Sequence, residues 1–112
     1  MLIYKIFSAD EWRALDETGA TSGAPVDLAD GYIHFSTASQ VEETAAKHFK
    51  GREGLILAAV EAETLGAALK WEPSRGGALF PHLYAPLLRS AVRWARPLPI
   101  GPDGAHAFPE MT

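Results

Sequence analysis

Six apolar residues in a row, Leu55-Ile56-Leu57-Ala58-Ala59-Val60, sit between Gly54 and Glu61. The run is far too short to cross a membrane as a helix. It also lacks the polar alternation of a strand with one wet face, so it predicts a central strand covered on both sides. A sheet with packing on two faces, in a chain of 112 residues, accounts for about one domain and one set of cores. The expected organisation is therefore a single domain over residues 1–112, with other elements arranged around this strand.

Those other elements are marked by local signals. Leu2-Ile3-Tyr4-Lys5-Ile6-Phe7 is rich in strand formers and divides into Leu2, Tyr4 and Ile6 on one side and Ile3, Lys5 and Phe7 on the other. Ser8 and Glu11 have the spacing of a capping box, in which hydroxyl and carboxylate satisfy free backbone donors, and predict a helix from Ala9 to Thr18 that stops at Gly19. Thr37 and Gln40 repeat that spacing. Behind them Ala38, Val41, Ala45 and Phe49 form one helical face, Glu42, Glu43, Lys47 and Lys50 the other, and Gly51 closes the helix. Thr21 to Asp30, with Gly23 and Pro25 and no helical period, reads as a surface connection, and Gly31 to Phe35 resumes a strand. Further on, Ala62 to Ala68 reads as a helical turn, Leu69 to Glu72 as alternating strand, and Ser74 to Gly77 as a flexible loop. Phe80 to Pro86 is too broken by proline for a central position and reads as an edge segment. Leu87 to Ser90 reads as a helical turn. Ala91 to Arg96 fits either a strand with Val92 and Trp94 inward or a continued helix, and the tail from Gly101 is expected to be irregular.

Composition removes several function classes. With no cysteine, disulfides, thiolate metal sites and cysteine nucleophiles are excluded. The net charge of −4 argues against bulk nucleic-acid binding. Within that balance, Lys70 to Arg96 carries Lys70, Arg75, Arg89, Arg93 and Arg96 against Glu72 alone, a surplus suited either to an anionic ligand or to a solvated basic face. The start Met1-Leu2-Ile3-Tyr4-Lys5 lacks the pattern of a secretory signal, and no apolar run has membrane-spanning length, so the expectation is no membrane and a cytoplasmic location. His34, His48, His82 and His106 show no zinc-binding spacing, and Ser36 is not in a nucleophile elbow, so no metal is expected.

Three stretches can carry chemistry. Asp30-Gly31-Tyr32-Ile33-His34-Phe35-Ser36-Thr37 leads from strand to helix and brings together an imidazole, two hydroxyls and free backbone donors that attract anions. The plain alternative is that Ser36 and Thr37 only cap the helix, worth about 0.5–2 kcal/mol, and that His34 is a satisfied core histidine. Glu72-Pro73-Ser74-Arg75-Gly76-Gly77 sets a carboxylate and a guanidinium around a glycine loop, although without a phosphate-loop motif. Phe80, His82 and Tyr84 alternate, so an extended backbone puts all three on one face, either as an aromatic wall for a flat ring or as a core face.

Taken together, Asp30 to Val41, Leu69-Lys70-Trp71-Glu72 and Phe80-Pro81-His82-Leu83-Tyr84-Ala85-Pro86-Leu87 resemble the domain-of-unknown-function 952 family, a small bacterial and plant family. The resemblance runs from Ile3 almost to Pro97. It implies an α+β fold like that of ADP-ribosyltransferases, with a small, bent, mixed β-sheet, two main helices and a cleft for NAD. The segment Ile33-His34-Phe35-Ser36 is also similar to the His-Leu-Ser segment of RNA 2'-phosphotransferases, which use NAD. On this resemblance His34 and Glu72 are the candidate catalytic residues. Lys5, Ser36, Thr37, Arg75, Phe80, His82 and Tyr84 are the candidate ligand-binding residues, and NAD or a similar nucleotide is the ligand. Lys5 stands where such enzymes often place a ribose-binding histidine, and Glu72 stands for the catalytic glutamate by position only. The same features also fit a non-catalytic module that binds a small metabolite or a protein.

Overall fold

The computed structural model describes residues 1–111, the side chain of Arg75 excepted. The first strand, β1 (Leu2–Ser8), runs into α1 (Ala9–Thr18); Ser8 Oγ accepts from the Glu11 N–H at 3.1 Å, and Glu11 returns a carboxylate to the Ser8 N–H at 2.9 Å. Gly19 ends the helix in the left-handed conformation open to glycine. Leu15 is then fully buried, a contribution of about 1.5–3 kcal/mol, while Trp12 meets the Phe7 ring edge-on at 5.9 Å.

The segment expected to be a bare connection holds two elements, β2 (Ala20–Thr21) and a helix, α2 (Pro25–Asp30). Pro25 occupies the first helical position, where its missing N–H costs nothing and its fixed φ suits the helix. With no hydroxyl available at Ala24, the Asp27 carboxylate takes the Ala24 N–H at 2.7 Å. After β3 (Ile33–His34) comes α3 (Ala38–His48). Gln40 Oε1 accepts from the Thr37 N–H at 3.0 Å at the start of α3, and its Nε2 donates to the Leu79 carbonyl at 2.7 Å. Val41 and Ala45 are buried on the expected face.

The apolar run becomes β4 (Leu55–Glu61), which lies between β1 and β8 (Val92–Leu98). Its residues feed two cores by strict alternation. Ala58 and Val60 pack with Ile3, Phe7, Leu15, Ile33, Phe35 and Leu83 on one side; Leu55, Leu57 and Ala59 pack with Tyr4, Ile6, Val41 and Ala45 on the other. The open choice at residues 91–96 resolves as strand. Val92 and Trp94 do not share a face, however: Ala59 pairs with Trp94 and Val60 with Val92, so Arg93 is an extra residue, a bulge that flips the alternation between the two cores.

A second sheet has the order β3-β6-β5, with β5 (Leu69–Pro73) and β6 (Leu79–Leu83). The Phe80 segment is thus central rather than an edge. Pro81 is tolerated because its carbonyl accepts from the Phe35 N–H at 3.0 Å, just past the end of β3, where its missing donor interrupts no regular pairing. A two-residue pairing of β2 with β7 (Leu87–Leu88) forms a third patch. A 3-10 turn at Arg89–Ala91 follows β7, later than the helical turn expected from Leu87. Tyr4 and Ser36 exchange both backbone hydrogen bonds, 2.8 and 2.9 Å, and so stitch the first sheet to the second. Among the described residues every strand pairing is antiparallel, so the sheets are not mixed. Short returns such as residues 74–78 between β5 and β6 can join only antiparallel neighbours. The α+β class holds.

No helix among the described residues is long and apolar enough to cross a membrane.

Candidate functional site

Strand periodicity places two histidines side by side. In β3, Ile33 points into the core and His34 to the opposite face; in β6, Leu83 does the same for His82. His34 and His82 are directly paired across the strands, and their rings meet at 5.5 Å, edge to face. Tyr32 covers both, with its ring 4.6 Å from His34, 4.1 Å from His82 and 5.2 Å, nearly parallel, from Tyr84.

Each imidazole is held by a carboxylate at Nδ1. For His82 it is Glu72, on the far neighbour β5: Oε1 lies 2.8 Å from His82 Nδ1 and accepts the Tyr84 hydroxyl at 2.7 Å. The Tyr84 hydrogen bond, then that of His82, keeps the Glu72 carboxyl below its ordinary range. The same bond pushes the Tyr84 phenol up to about 12. For His34 the partner is Asp27, 2.5 Å from Nδ1, while Asp30 Oδ2 lies 2.9 Å from Nε2.

Asp27 is the hub of the site. It is 1% exposed and receives four donors: the Ala24 N–H at 2.7 Å and the Lys5 ammonium at 2.9 Å on one oxygen, the His34 N–H at 3.0 Å and the His34 ring on the other. Burial alone pushes its carboxyl up, but the His34 hydrogen bond and the Lys5 charge together outweigh burial and hold it well below the carboxylate range. Lys5 projects from the face of β1 that also carries Ile3 and Phe7, and its ammonium also donates to the His34 carbonyl at 3.2 Å. A lysine buried to this degree needs such a partner.

Beside this network lies a cavity of about 590 Å³, within the range of small-molecule sites. Of the residues singled out by sequence, Lys5, His34, Ser36, Phe80 and His82 line it. Ser36 is buried, with its hydroxyl 2.9 Å from that of Thr44 on α3. Glu72 and Tyr84 join the site from behind His82 rather than from the cavity wall. Thr37 stays at the start of α3, with its hydroxyl 3.1 Å from that of Ser39. The side chain of Arg75 lies outside the described residues. The cavity also takes in Arg52 and His48 from the end of α3 and beyond.

Sequence reasoning missed Asp27 and Tyr32. Asp27 was hidden in a segment taken for a loop, although Pro25 followed two residues later by an aspartate is a helix-start signal. Tyr32 carries no comparable signal, because its three ring contacts all depend on how β3 meets β6. Among the described residues no trio of histidine and carboxylate side chains is placed to hold a metal ion.

The crystal structure of protein CC0527 from Caulobacter crescentus is similar to this chain, with 55% identity over 96% of this chain and 94% of that one, and a TM-score of 0.91. A solution NMR structure of CC0527 is 57% identical over 93% and 90% of the two chains, with a TM-score of 0.84. No curated protein matches the chain. Residues 6–95 match the family described as "Protein of unknown function (DUF952)", and a match over that much of the sequence makes this chain a member of the DUF952 family.

Proposed function

We propose that the cavity beside His34 and His82 binds a nucleotide-type ligand, NAD or ADP-ribose, and that the chain transfers or cleaves at the sugar of that ligand. The observation that carries this reading is the wall itself. Two imidazoles, each oriented by a carboxylate, stand with Phe80 along a cavity large enough for much of a nucleotide. Phe80 supplies an aromatic face for a flat ring. In this reading His34 and the buried hydroxyl of Ser36 orient a ribose, and Arg52 on the lining supplies a cation for phosphate. Lys5 acts indirectly in this reading, because its charge is matched by Asp27. Cleavage at a ribose demands stabilisation of an electron-poor sugar, which preorganised dipoles and carboxylates provide better than mobile water.

Titration of NAD and ADP-ribose into isotopically labelled protein, followed by chemical shifts, tests the reading. Saturable shifts at His34, Ser36 and Phe80 are expected. They should vanish in His34→Ala while the dispersed spectrum of the folded chain remains. Absence of any shift at millimolar ligand sinks the nucleotide reading.

One observation favours a second reading, a non-catalytic binding module. Lys5, Asp27, His34 and Asp30 satisfy one another without any ligand, as a network that only shapes the cleft would. Release of nicotinamide from NAD by the intact chain rules that module out.

A further inference from the structure

His34 and His82 are neighbours, yet their ring nitrogens are engaged differently. Both nitrogens of His34 face carboxylate oxygens, Asp27 at Nδ1 and Asp30 at Nε2. While those contacts hold, His34 presents no lone pair to a ligand. His82 has a carboxylate at Nδ1 only, and its Nε2 has no hydrogen-bond partner among the described residues. Glu72 Oε1 already accepts the Tyr84 hydroxyl. It therefore acts as an acceptor toward both groups, which puts the His82 proton on Nδ1 and leaves the lone pair on Nε2. The ring is 3% exposed, yet it lines the cavity.

We infer that His82 is the proton acceptor of the cleft, held in the required tautomer by Glu72 and Tyr84, and that it deprotonates a water or hydroxyl attacking the bound ligand. His34 can then donate to the ligand only by releasing the half-exposed Asp30 from Nε2, and Glu72 is a positioning residue rather than the catalytic carboxylate. The inference rests on the cavity being the ligand site proposed above. With NAD as the probe, water gives its proton to His82 Nε2 and forms the new O–C1′ bond. The bond from C1′ to the nicotinamide nitrogen breaks, and its electron pair leaves with the ring, which becomes neutral nicotinamide. ADP-ribose is the second product, and His82 returns the proton to solvent.

The first measurement needs no ligand. Long-range proton–nitrogen correlation spectra, recorded where free imidazole is neutral, should show His82 protonated at Nδ1 and bare at Nε2. In Glu72→Ala the proton should move largely to Nε2, the tautomer that a free histidine side chain prefers. A proton on Nε2 in the unaltered chain overturns the assignment, whatever the cavity binds. The second measurement is nicotinamide release from NAD. His82→Ala should slow it by about 100-fold or more while keeping the chemical shifts caused by ADP-ribose. His82→Asn, which keeps a donor toward Glu72 but has no base, serves if the alanine variant does not fold. Release at an unchanged rate in either variant, or binding of NAD with no release by the unaltered chain, refutes the role of His82. If ADP-ribose fails to bind while the tautomer is as stated, the nucleotide ligand falls and the orientation of His82 by Glu72 stands.

Discussion

Replacing Asp27 with asparagine tests the centre of the site while changing one atom. All four partners of the Asp27 carboxylate are donors: the Lys5 ammonium, the Ala24 N–H, the His34 N–H and the His34 ring. An amide offers one oxygen and one NH₂ group, so whichever way it turns, two of those donors face another donor. With its oxygen toward His34, it leaves the Lys5 charge uncompensated at 7% exposure. Breaking one side of a buried ion pair costs about 3–5 kcal/mol, out of a total of roughly 5–15 kcal/mol for a domain. For a chain of this size that corresponds to a fall of roughly 12–20 °C in melting temperature. Urea unfolding followed by the fluorescence of Trp12, Trp71 and Trp94 measures the loss directly. Adding Lys5→Met removes the stranded ammonium, so the double variant should lose less than the sum of the two single losses. A loss below about 1 kcal/mol in Asp27→Asn, typical of a solvent-exposed pair, refutes the reasoning, because it means water screens the network.

Three further outcomes are expected. Since the Asp27 carboxyl is depressed in the folded state, its stabilisation is complete above the unfolded value near 3.9 and is lost progressively as pH falls from there to the lower folded value; thermal melts of the unaltered chain should drop steeply over that interval, and those of Asp27→Asn should be flatter over it. The Tyr84 phenol, pushed up to about 12 by its bond to Glu72, should titrate late in absorbance at 295 nm, with the late component missing in Tyr84→Phe and shifted to lower pH in Glu72→Ala. Gly23 has φ +104°, and a Cβ there would lie 2.5 Å from both Cβ and Oδ2 of Asp27. Gly23→Ala should therefore cost about 1–3 kcal/mol in the same urea assay and move the Ala24 and His34 amide resonances, the two backbone donors to Asp27.

Much of the frame was legible because its rules are local. Ser8 with Glu11, and Gln40 with the backbone of Thr37, mark helix starts within one turn of chain. The period of Val41 and Ala45 gives a buried face directly, and Leu55 to Val60 announces a central strand by composition. The errors came where a local rule was overruled from a distance. Pro81 disfavours a central strand, but β3 ends just where the missing donor would have been needed. Val92 and Trp94 alternate in sequence, but a bulge at Arg93 sends them to opposite cores. Pro25 and Gly23 suggest a loop, but Lys5 and His34 draw Asp27 inward and α2 with it.

The site divides in the same way. The sequence by itself determined the junction that holds His34 and Ser36 and the side of β1 on which Lys5 lies, because residue type and strand period fix these within a few positions. Only the tertiary structure decided that His34 and His82 meet, that Glu72 serves His82 and Tyr84 together, and that Asp27 neutralises Lys5. Those pairings join separate elements of the chain, and they form because strand register and the burial of charge bring matching donors and acceptors within reach of one another.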